Sequence, residues 1–387
     1  MGTDSALRRL SLLNPGTEIW WDSSPLVFDA WCKAQQALWR DQPTLSGALQ
    51  ELNWGALSGV LRGCTTNPPL ALEALCTDLP RWRAWARAQQ RDARDGLAWD
   101  LYRSILRAGA QRALPLWEQS DGRFGQICGQ VDPRLLHDAA AMVQQGIALH
   151  AECPNVMVKL PATQAGIEGI RLLTARGIST NATLGFSVAQ ILATAEAART
   201  GFELARAAGV DLSTTRSMAT LMLGRLEDAP AFDASATSVG LSLSELERRW
   251  AGVAVARQAY GLLCERGMQT KLLLASMRLG PTVEGTTRIW HLEQLAGGNT
   301  VLTIFPNILA AYMQAYADRP IVATINEPVP SAVLERLQQI PYFVQAYEAQ
   351  GAAPDEFDGL PGLMATASSF TEAMSSFEET AAQLLSE

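Results

Sequence analysis

The sequence predicts an α/β fold, most economically a (β/α)8 barrel, from two observations. Short apolar runs alternate with longer amphipathic stretches through most of the 387 residues, and this alternation is typical of a parallel sheet covered by helices. Polar side chains follow most of the apolar runs, and the strand ends of a parallel barrel meet at one face. A doubly wound open sheet is the competing architecture, but the sequence lacks the early Gly-rich phosphate turn that such a sheet normally carries.

The apolar runs give eight expected strands, and the stretches between them give the helices. The expected strands are Glu18–Trp21, Gly59–Cys64, Arg123–Val131, Val156–Leu160, Gly177–Asn181, Ser213–Ala219, Lys271–Ala275 and Thr300–Ile304. Residues 31–55 and 75–114 are long for plain connections, so we predict helical insertions there. From about residue 311 onward we predict a helical C-terminal tail. All 387 residues are expected to form one barrel domain.

The composition limits the classes of function. Apolar residues make up 48% of the chain and charged residues 18%, which is enough apolar material for a large core. The net charge of −8 and the pI near 5.1 argue against nonspecific binding of nucleic acid. A few arginines could still hold an anionic substrate.

The remaining composition points to a cytoplasmic protein without a metal centre. Six cysteines show no CxxC pair and no ligand spacing with histidine, so free core thiols are expected rather than disulfides or a zinc site. Only three histidines are present, which makes a histidine-rich metal site unexpected. The chain shows no signal peptide and no apolar run near the roughly 20 residues that span a bilayer, so we expect no membrane association.

Lys159 is the first candidate for chemistry. It lies near the end of the apolar run Val156–Leu160, which is followed by Pro161 and a polar turn. Apolar surroundings favour the neutral amine, because burial disfavours the ammonium ion. A neutral amine attacks carbonyl carbons, so Lys159 is a candidate Schiff-base nucleophile. The alternative is a strand-end lysine whose amine extends into solvent.

Polar residues at the other strand ends form a constellation with Lys159. They are Asp22, Thr65, Thr66, Asn67, Gln130, Asp132, Asn181, Thr183, Thr220, Ser276, Arg278 and Thr303. Single members have plainer interpretations: Asn67 before two prolines is a turn former, and Asp22 is a candidate helix N-cap. Together they are expected to line the face of the barrel at which catalytic groups collect.

Four motifs resemble those of the transaldolase family. They are Gly63-Cys64-Thr65-Thr66-Asn67-Pro68-Pro69-Leu70, Val158-Lys159-Leu160-Pro161-Ala162-Thr163, the run from Gly177 to Ser187, and Ala275-Ser276-Met277-Arg278. Order and spacing agree with the family from about Ile19 to Pro306. The resemblance implies a circularly permuted (β/α)8 barrel and a class I aldolase that needs neither metal nor other cofactor.

The resemblance also assigns roles to individual residues. Lys159 would form a Schiff base with a ketose phosphate, and Asp22 would take the proton of the C4 hydroxyl while the C3–C4 bond breaks. A dihydroxyacetone unit would then pass to an aldose phosphate. The matched substrate-binding residues are Thr65, Asn67, Asn181 and, where the family usually has serine, Thr220. The matched phosphate-binding residues are Arg225, Ser276 and Arg278, and an ordinary surface role is the alternative for Arg225.

The chain departs from the family pattern in the residues that relay protons. Gln130 stands where transaldolases carry a glutamate, which positions a water together with the threonine matched by Thr183. A glutamine can orient a water but cannot titrate near neutral pH. Fructose-6-phosphate aldolases of the same family carry glutamine there, paired with a tyrosine where transaldolases have phenylalanine. This chain has Met222 at that second position.

Three functions therefore remain open at the level of sequence. The first is a transaldolase with an altered relay, the second a specialised aldolase or transaldolase with an unusual donor or acceptor. The third is a sugar-phosphate-binding protein with weakened turnover, against which the retained Lys159 and Asp22 count. The expected partners are small sugar phosphates, and a homo-oligomer is possible.

Overall fold

Eight parallel strands form a closed barrel in the computed structural model, which describes residues 4–89 and 96–386. They are β1 Glu18–Asp22, β2 Leu61–Thr65, β3 Gln126–Gln130, β4 Val156–Pro161, β5 Thr180–Gly185, β6 Ser217–Met222, β7 Lys271–Ala275 and β8 Val301–Ile304. Each strand pairs with its neighbours in chain order, and β1 closes the barrel by pairing with β8. The predicted (β/α)8 barrel is thereby confirmed.

Strand ends differ from the sequence prediction by a few residues. β3 and β5 begin later than predicted because Gly125 and Gly177 have φ angles of +80° and +74°, a left-handed conformation that interrupts a strand. β5 also continues to Gly185 and so includes Thr183. A two-stranded hairpin, Thr282–Val283 with Thr286–Thr287, was not predicted because two-residue strands leave no alternating pattern.

Helices surround the barrel. The α-helices are α1 Ala6–Leu12, α2 Phe28–Leu38, α3 Pro43–Ala48, α4 Pro68–Thr77, α5 Leu79–Ala88, α6 Leu97–Gln119, α7 Ala139–His150, α8 Gln164–Thr174, α9 Val188–Ala207, α10 Leu223–Glu227, α11 Pro230–Ser238, α12 Glu245–Glu265, α13 Trp290–Gln294, α14 Pro306–Ala315, α15 Ser331–Leu337, α16 Pro341–Tyr347 and α17 Pro361–Ser386. The predicted helical tail is present as α14 to α17, and α17 packs against α4, α5 and α6. Helices also occupy both predicted insertions, of which residues 90–95 lie outside the described residues.

Polar residues in the turns after β2, β4 and β5 begin the next helix. Asn67 accepts a hydrogen bond from the Leu70 backbone N–H at 3.0 Å, and Thr163 and Ser187 cap α8 and α9 in the same way. A side-chain oxygen at this position satisfies one of the free N–H groups of the first turn. The side-chain oxygen of Asn67 thus has a local structural role in the turn before α4, as the turn-forming interpretation expects.

The barrel interior consists of an apolar layer and a polar layer. The apolar layer contains Trp20, Cys128, Met157, Met218, Leu273, Ala275 and Val301. Every second residue of a strand points to the same side, so the next interior positions follow by adding two. In β1, β3, β4, β6 and β8 these positions are Asp22, Gln130, Lys159, Thr220 and Thr303. The polar constellation thus lies directly on an apolar floor.

An ion-pair network closes the opposite end of the barrel. The buried Glu18 accepts from Arg216 Nη2 at 2.6 Å and from Lys271 Nζ at 2.7 Å. Burial alone would raise the pKa of Glu18, but these two cations lower it to about 2. The carboxylate therefore stays ionised at neutral pH and keeps both cations in place.

Two further expectations can be compared with the fold. All six cysteines are free, but Cys76 and Cys264 are exposed, so the expectation of core thiols was wrong for these two. They lie on or near helix surfaces, where the sequence gives little sign of which face is turned outward. Of the helices that the structure describes, none combines the length and the apolar character that crossing a membrane requires.

The close contact between Gly63 and the apolar floor gives a prediction about stability. A Cβ atom at residue 63 would collide with the indole ring of the buried Trp20. We expect Gly63→Ala to lower the free energy of unfolding by about 1–3 kcal/mol, the usual cost of overpacking. Gly261→Ala in α12 is the matched control, because a Cβ there meets no atom within 4 Å and alanine favours the helix. Urea unfolding followed by circular dichroism measures both, and equal stability of the two variants would contradict the prediction.

Candidate active site

Lys159 places an amine inside the barrel. Its side chain is only 4% exposed, which does not fit the alternative of a lysine that extends into solvent. Nζ donates to the backbone oxygen of Thr66 at 2.9 Å, in the turn after β2. Burial lowers the pKa of Lys159, against the opposing effect of Cys128, Asp22 and Cys64. The neutral amine is therefore more populated than in an ordinary lysine.

Asp22 lies in the same polar layer, at the end of β1. Its Oδ1 accepts from the Thr65 hydroxyl at 2.7 Å, and that hydroxyl also contacts the hydroxyl of Thr303. Burial raises the pKa of Asp22, while Lys159 and the hydrogen bond from Thr65 oppose this effect. The N-cap interpretation of Asp22 was wrong, because the following turn is capped by Ser24.

Gln130, Lys159 and Asn181 form one row across β3, β4 and β5. They are paired residues in the barrel register, so their side chains point the same way. Asn181 is fixed in this row: its Oδ1 accepts from the Thr220 hydroxyl at 2.8 Å, and its Nδ2 donates to Cys128 Sγ at 3.4 Å. The row therefore brings two amide groups to either side of the amine.

Two polar atoms near the amine have no partner. Gln130 Oε1 and the Thr183 hydroxyl are buried and make no hydrogen bond within residues 4–89 and 96–386. Buried polar atoms in proteins nearly always have a partner. These two atoms are thus available to a water molecule or to a hydroxyl group of a ligand.

Ser276 and the arginines lie at the β6 and β7 end of the site. Ser276 has a φ of +61°, an unusual backbone conformation for a residue with a side chain. Arg278 Nη1 donates to the Ser276 backbone oxygen at 2.9 Å and to its hydroxyl at 3.1 Å. Arg278 Nε donates to Asp228 at 2.8 Å, so this guanidinium is already paired with a carboxylate.

Arg225 is the cation without an anion at this end. Within the described part of the chain its guanidinium makes no ion pair or hydrogen bond, and it lies 5.6 Å from the centre of the Phe370 ring. Burial, followed by the nearby Arg278, lowers the pKa of Arg225. An arginine keeps its charge under such a shift, since its ordinary pKa lies far above neutral pH. An anion entering the cavity would therefore meet an unneutralised positive charge.

These groups surround a cavity at the carboxyl ends of the strands, with about 390 Å³ not filled by atoms. Its lining residues are Asp22, Thr65, Asn67, Lys159, Thr183, Thr220, Met222, Arg225, Leu273, Ala275, Ser276, Thr303, Phe305 and Phe370. Most of the predicted site residues are thus brought together. Five members of the predicted set are not part of the lining: Thr66, Gln130, Asp132, Asn181 and Arg278.

The sequence prediction missed several residues that shape the site. Leu273 and Ala275 follow from the alternation within β7, which could have identified them. Tyr102 in the second insertion holds the end of β3, because its hydroxyl bonds both the N–H and the oxygen of Gln130 at 3.0 Å. Phe370 comes from α17, and no local motif marks it among the other apolar residues of that helix.

A larger cleft of about 820 Å³ lies elsewhere, between α1, α3 and α14. Its most buried carboxylate, Glu51, already accepts hydrogen bonds from Ser5 and from Arg8. The cleft therefore has volume but no free reactive group of the kind found at Lys159. In residues 4–89 and 96–386, no three His, Cys, Asp or Glu side chains are grouped so that they could hold a metal ion.

Comparison with known proteins identifies the family of this chain. Residues 46–352 match the family model described as transaldolase/fructose-6-phosphate aldolase. A transaldolase from Thiobacillus denitrificans is 31% identical over 296 residues, which cover 71% of this chain and 80% of that protein. The chain therefore belongs to the transaldolase/fructose-6-phosphate aldolase family.

The mycobacterial relatives match over a shorter part. Transaldolases from Mycobacterium bovis and Mycobacterium tuberculosis are each 36% identical over 218 residues. The match spans 56% of this chain and only 57% of the length of those proteins. Asp22 precedes the region matched by the family model, so its assignment depends on its position beside Thr65 and on the same cavity as Lys159.

The buried amine gives a prediction about pH dependence. A lowered pKa of Lys159 means that the reactive neutral amine appears at lower pH than in an ordinary lysine, whose pKa is 10.5. We expect the rate of borohydride trapping with dihydroxyacetone to rise with pH and to have its midpoint below pH 10.5. Mass spectrometry of the reduced adduct measures this rate. A midpoint at or above pH 10.5 would show that the amine is not perturbed.

Proposed function

We propose that the protein is a transaldolase that moves a dihydroxyacetone unit from a ketose phosphate to an aldose phosphate. One observation carries the proposal: a single cavity holds a buried amine, a buried carboxylate and an unpaired guanidinium. The amine can form an imine, the carboxylate can move a proton, and the guanidinium can hold a phosphate. Fructose 6-phosphate and sedoheptulose 7-phosphate are the proposed donors.

The first half of the reaction cleaves the donor. The Lys159 amine adds to the C2 carbonyl carbon, and loss of water gives a protonated imine. Asp22 takes the proton of the C4 hydroxyl, and the electron pair of the C3–C4 bond moves toward the imine nitrogen. The aldose phosphate leaves, and a three-carbon enamine remains on Lys159. The raised pKa of Asp22 suits this task, because a weaker acid has a more basic conjugate carboxylate.

The second half transfers the retained unit. The enamine carbon attacks the aldehyde carbon of an aldose phosphate and forms a new carbon–carbon bond. Asp22 returns its proton to the oxygen of that aldehyde, which becomes the C4 hydroxyl. Water then hydrolyses the imine and frees the Lys159 amine. Each proton and electron pair is thus restored, and no external oxidant or reductant is needed.

The arginine end of the cavity is the proposed phosphate site. Arg225 and Ser276 line the cavity, and Arg278, which is not part of the lining, donates a hydrogen bond to the Ser276 hydroxyl. A guanidinium binds two phosphate oxygens at once, which fixes orientation as well as charge. Asn67, Thr65, Asn181 and Thr220 are proposed to position the sugar hydroxyls and the imine.

Gln130 and Thr183 are proposed to hold the water that serves the imine steps. Their unpartnered oxygen atoms are the observation behind this assignment. Because Gln130 cannot accept a proton in this pH range, proton transfer would pass through the water to another base. Asp22 is the base available in the cavity.

A free aldolase is the second candidate, and Gln130 is the observation in its favour. An enamine on Lys159 can be protonated instead of attacking an aldehyde, and water then hydrolyses the resulting imine and releases dihydroxyacetone. Both candidates use the same buried amine and carboxylate. The difference lies in what meets the enamine, a proton or an acceptor aldehyde.

We further propose that the barrel, the insertions and the tail act as one domain. Tyr102 of the second insertion bonds the end of β3, and Phe370 of α17 lines the cavity. The site is thus built from all three parts.

The decisive experiment is an assay with fructose 6-phosphate, with and without erythrose 4-phosphate. We expect release of glyceraldehyde 3-phosphate only with the acceptor present. Release without it would establish the free aldolase instead. Lys159→Ala should abolish both turnover and borohydride trapping, whereas Lys33→Ala, at an exposed lysine, should change neither. Trapping that survives Lys159→Ala would refute the assigned nucleophile.

The relay gives a separate prediction. Gln130→Glu would supply a carboxylate next to the proposed water. We expect a faster transaldolase turnover, about tenfold if proton transfer limits the rate, with unchanged trapping by borohydride. Gln126→Glu, in the same strand but at the other end of the barrel, is the control and should leave the rate unchanged. An equal or lower rate for Gln130→Glu would contradict the role given to this residue.

A further inference from the structure

A buried cluster behind the cavity has no part in the proposed reaction. Glu227 at the end of α10 and His291 in α13 are both fully buried, and Arg249 in α12 is 7% exposed. None of the three lines the cavity. Burying charged groups costs free energy even when they are paired and hydrogen-bonded. Apolar side chains at these positions would pack at least as well, so packing alone does not explain the cluster.

The hydrogen bonds of this cluster form a closed circuit that begins and ends at Arg278. The Arg278 backbone N–H donates to His291 Nδ1 at 3.2 Å, and His291 Nε2 lies 2.7 Å from Glu227 Oε1. The other oxygen of Glu227 pairs with Arg249 Nη1, which reaches Asp228 Oδ1 at 3.2 Å. Asp228 Oδ2 then accepts from Arg278 Nε at 2.8 Å.

The circuit defines the tautomer of His291. Because Nδ1 accepts a hydrogen bond from Arg278, it carries no proton, and the neutral ring then carries its proton on Nε2. Nε2 can therefore donate to Glu227. Two carboxylates, Glu227 and Asp228, balance two guanidinium groups, Arg249 and Arg278, so the cluster is neutral without a charge on the ring.

The segment that the circuit holds contains the strained residue of the site. Ser276 has left-handed backbone angles, and a non-glycine residue keeps such a conformation only where its surroundings fix it. The Gly224 N–H at 3.0 Å and Arg278 Nη1 both donate to the Ser276 backbone oxygen. Arg278 is fixed at its backbone by His291 and at its side chain by Asp228.

We propose that Glu227 and His291 are positioning residues for phosphate recognition: they hold the Ser276–Arg278 turn in the conformation that presents the Ser276 hydroxyl to the cavity. This inference rests on the proposed function, because it takes the turn as the phosphate site. The circuit touches neither Lys159 nor Asp22. Its loss therefore weakens binding of phosphorylated ligands and leaves the chemistry at the amine intact.

Two variants of His291 separate positioning from packing. His291→Asn keeps an acceptor near the position of Nδ1 but is too short to reach Glu227. His291→Gln can still donate to Glu227 but leaves the Arg278 N–H without its acceptor. We expect the glutamine variant to raise the half-saturating concentration of fructose 6-phosphate about tenfold, the scale of one lost hydrogen bond, and the asparagine variant to raise it by less than about threefold.

The measurement is borohydride trapping of Lys159 at increasing concentrations of fructose 6-phosphate or of dihydroxyacetone, which carries no phosphate. We expect the half-saturating concentration of dihydroxyacetone to be the same in all variants. Glu227→Gln, which keeps the shape of the side chain and leaves the hydrogen bond between the Arg278 N–H and His291 in place, is a second variant and should behave like His291→Asn. Asn155→Leu is the control for lost stability, because it removes two buried hydrogen bonds at the other end of the barrel and should change neither concentration.

The outcomes distinguish the two proposals. Wild-type protein that is trapped by neither compound would refute the proposed function. Normal trapping of the wild type, with equal loss for both compounds or equal loss in the asparagine and glutamine variants, would refute the positioning role alone. Circular dichroism of each variant confirms that the folded protein is compared.

Discussion

The chemistry of this protein depends on the separation of the barrel interior into an apolar layer and a polar layer. Trp20, Cys128 and Met157 close the barrel from below, and the interior positions two residues further along their strands are Asp22, Gln130 and Lys159. The apolar floor keeps solvent away from the amine, and the low dielectric that results lowers the pKa of Lys159 and raises that of Asp22. If water entered through the apolar layer, the pKa values of Lys159 and Asp22 would move back toward their ordinary values.

Different chemical groups of the polar layer lie on different sides of the barrel. Its β1 and β4 side holds the carboxylate and the amine, and its β6 and β7 side holds Arg225 and Ser276. Charge follows the same division: Lys159 and Asp22 both move toward their neutral forms, whereas Arg225 stays cationic. A phosphorylated sugar would therefore be oriented by its charged end while its carbonyl reaches a neutral nucleophile.

Much of this arrangement could be predicted from the sequence, and the parts that could not have physical reasons. Eight apolar runs predicted the barrel, and the polar residues at their ends predicted the lining of the cavity, because strand alternation and parallel pairing are local rules. The roles of Tyr102 and Phe370 depend on how distant helices pack, which local patterns do not encode. The circuit through His291 was also missed, since its members are scattered over four segments and have no spacing in common.

The position of Phe370 in the chain has a consequence for folding. The cavity wall that it forms belongs to α17, which is synthesised after all eight strands and packs on α4, α5 and α6 from the first third of the sequence. Contacts between such distant segments form late, because a long loop must close first. A nascent barrel would therefore already hold the amine and the carboxylate while the cover over Arg225 is still missing, so competence for tight anion binding would be acquired as the last step of maturation.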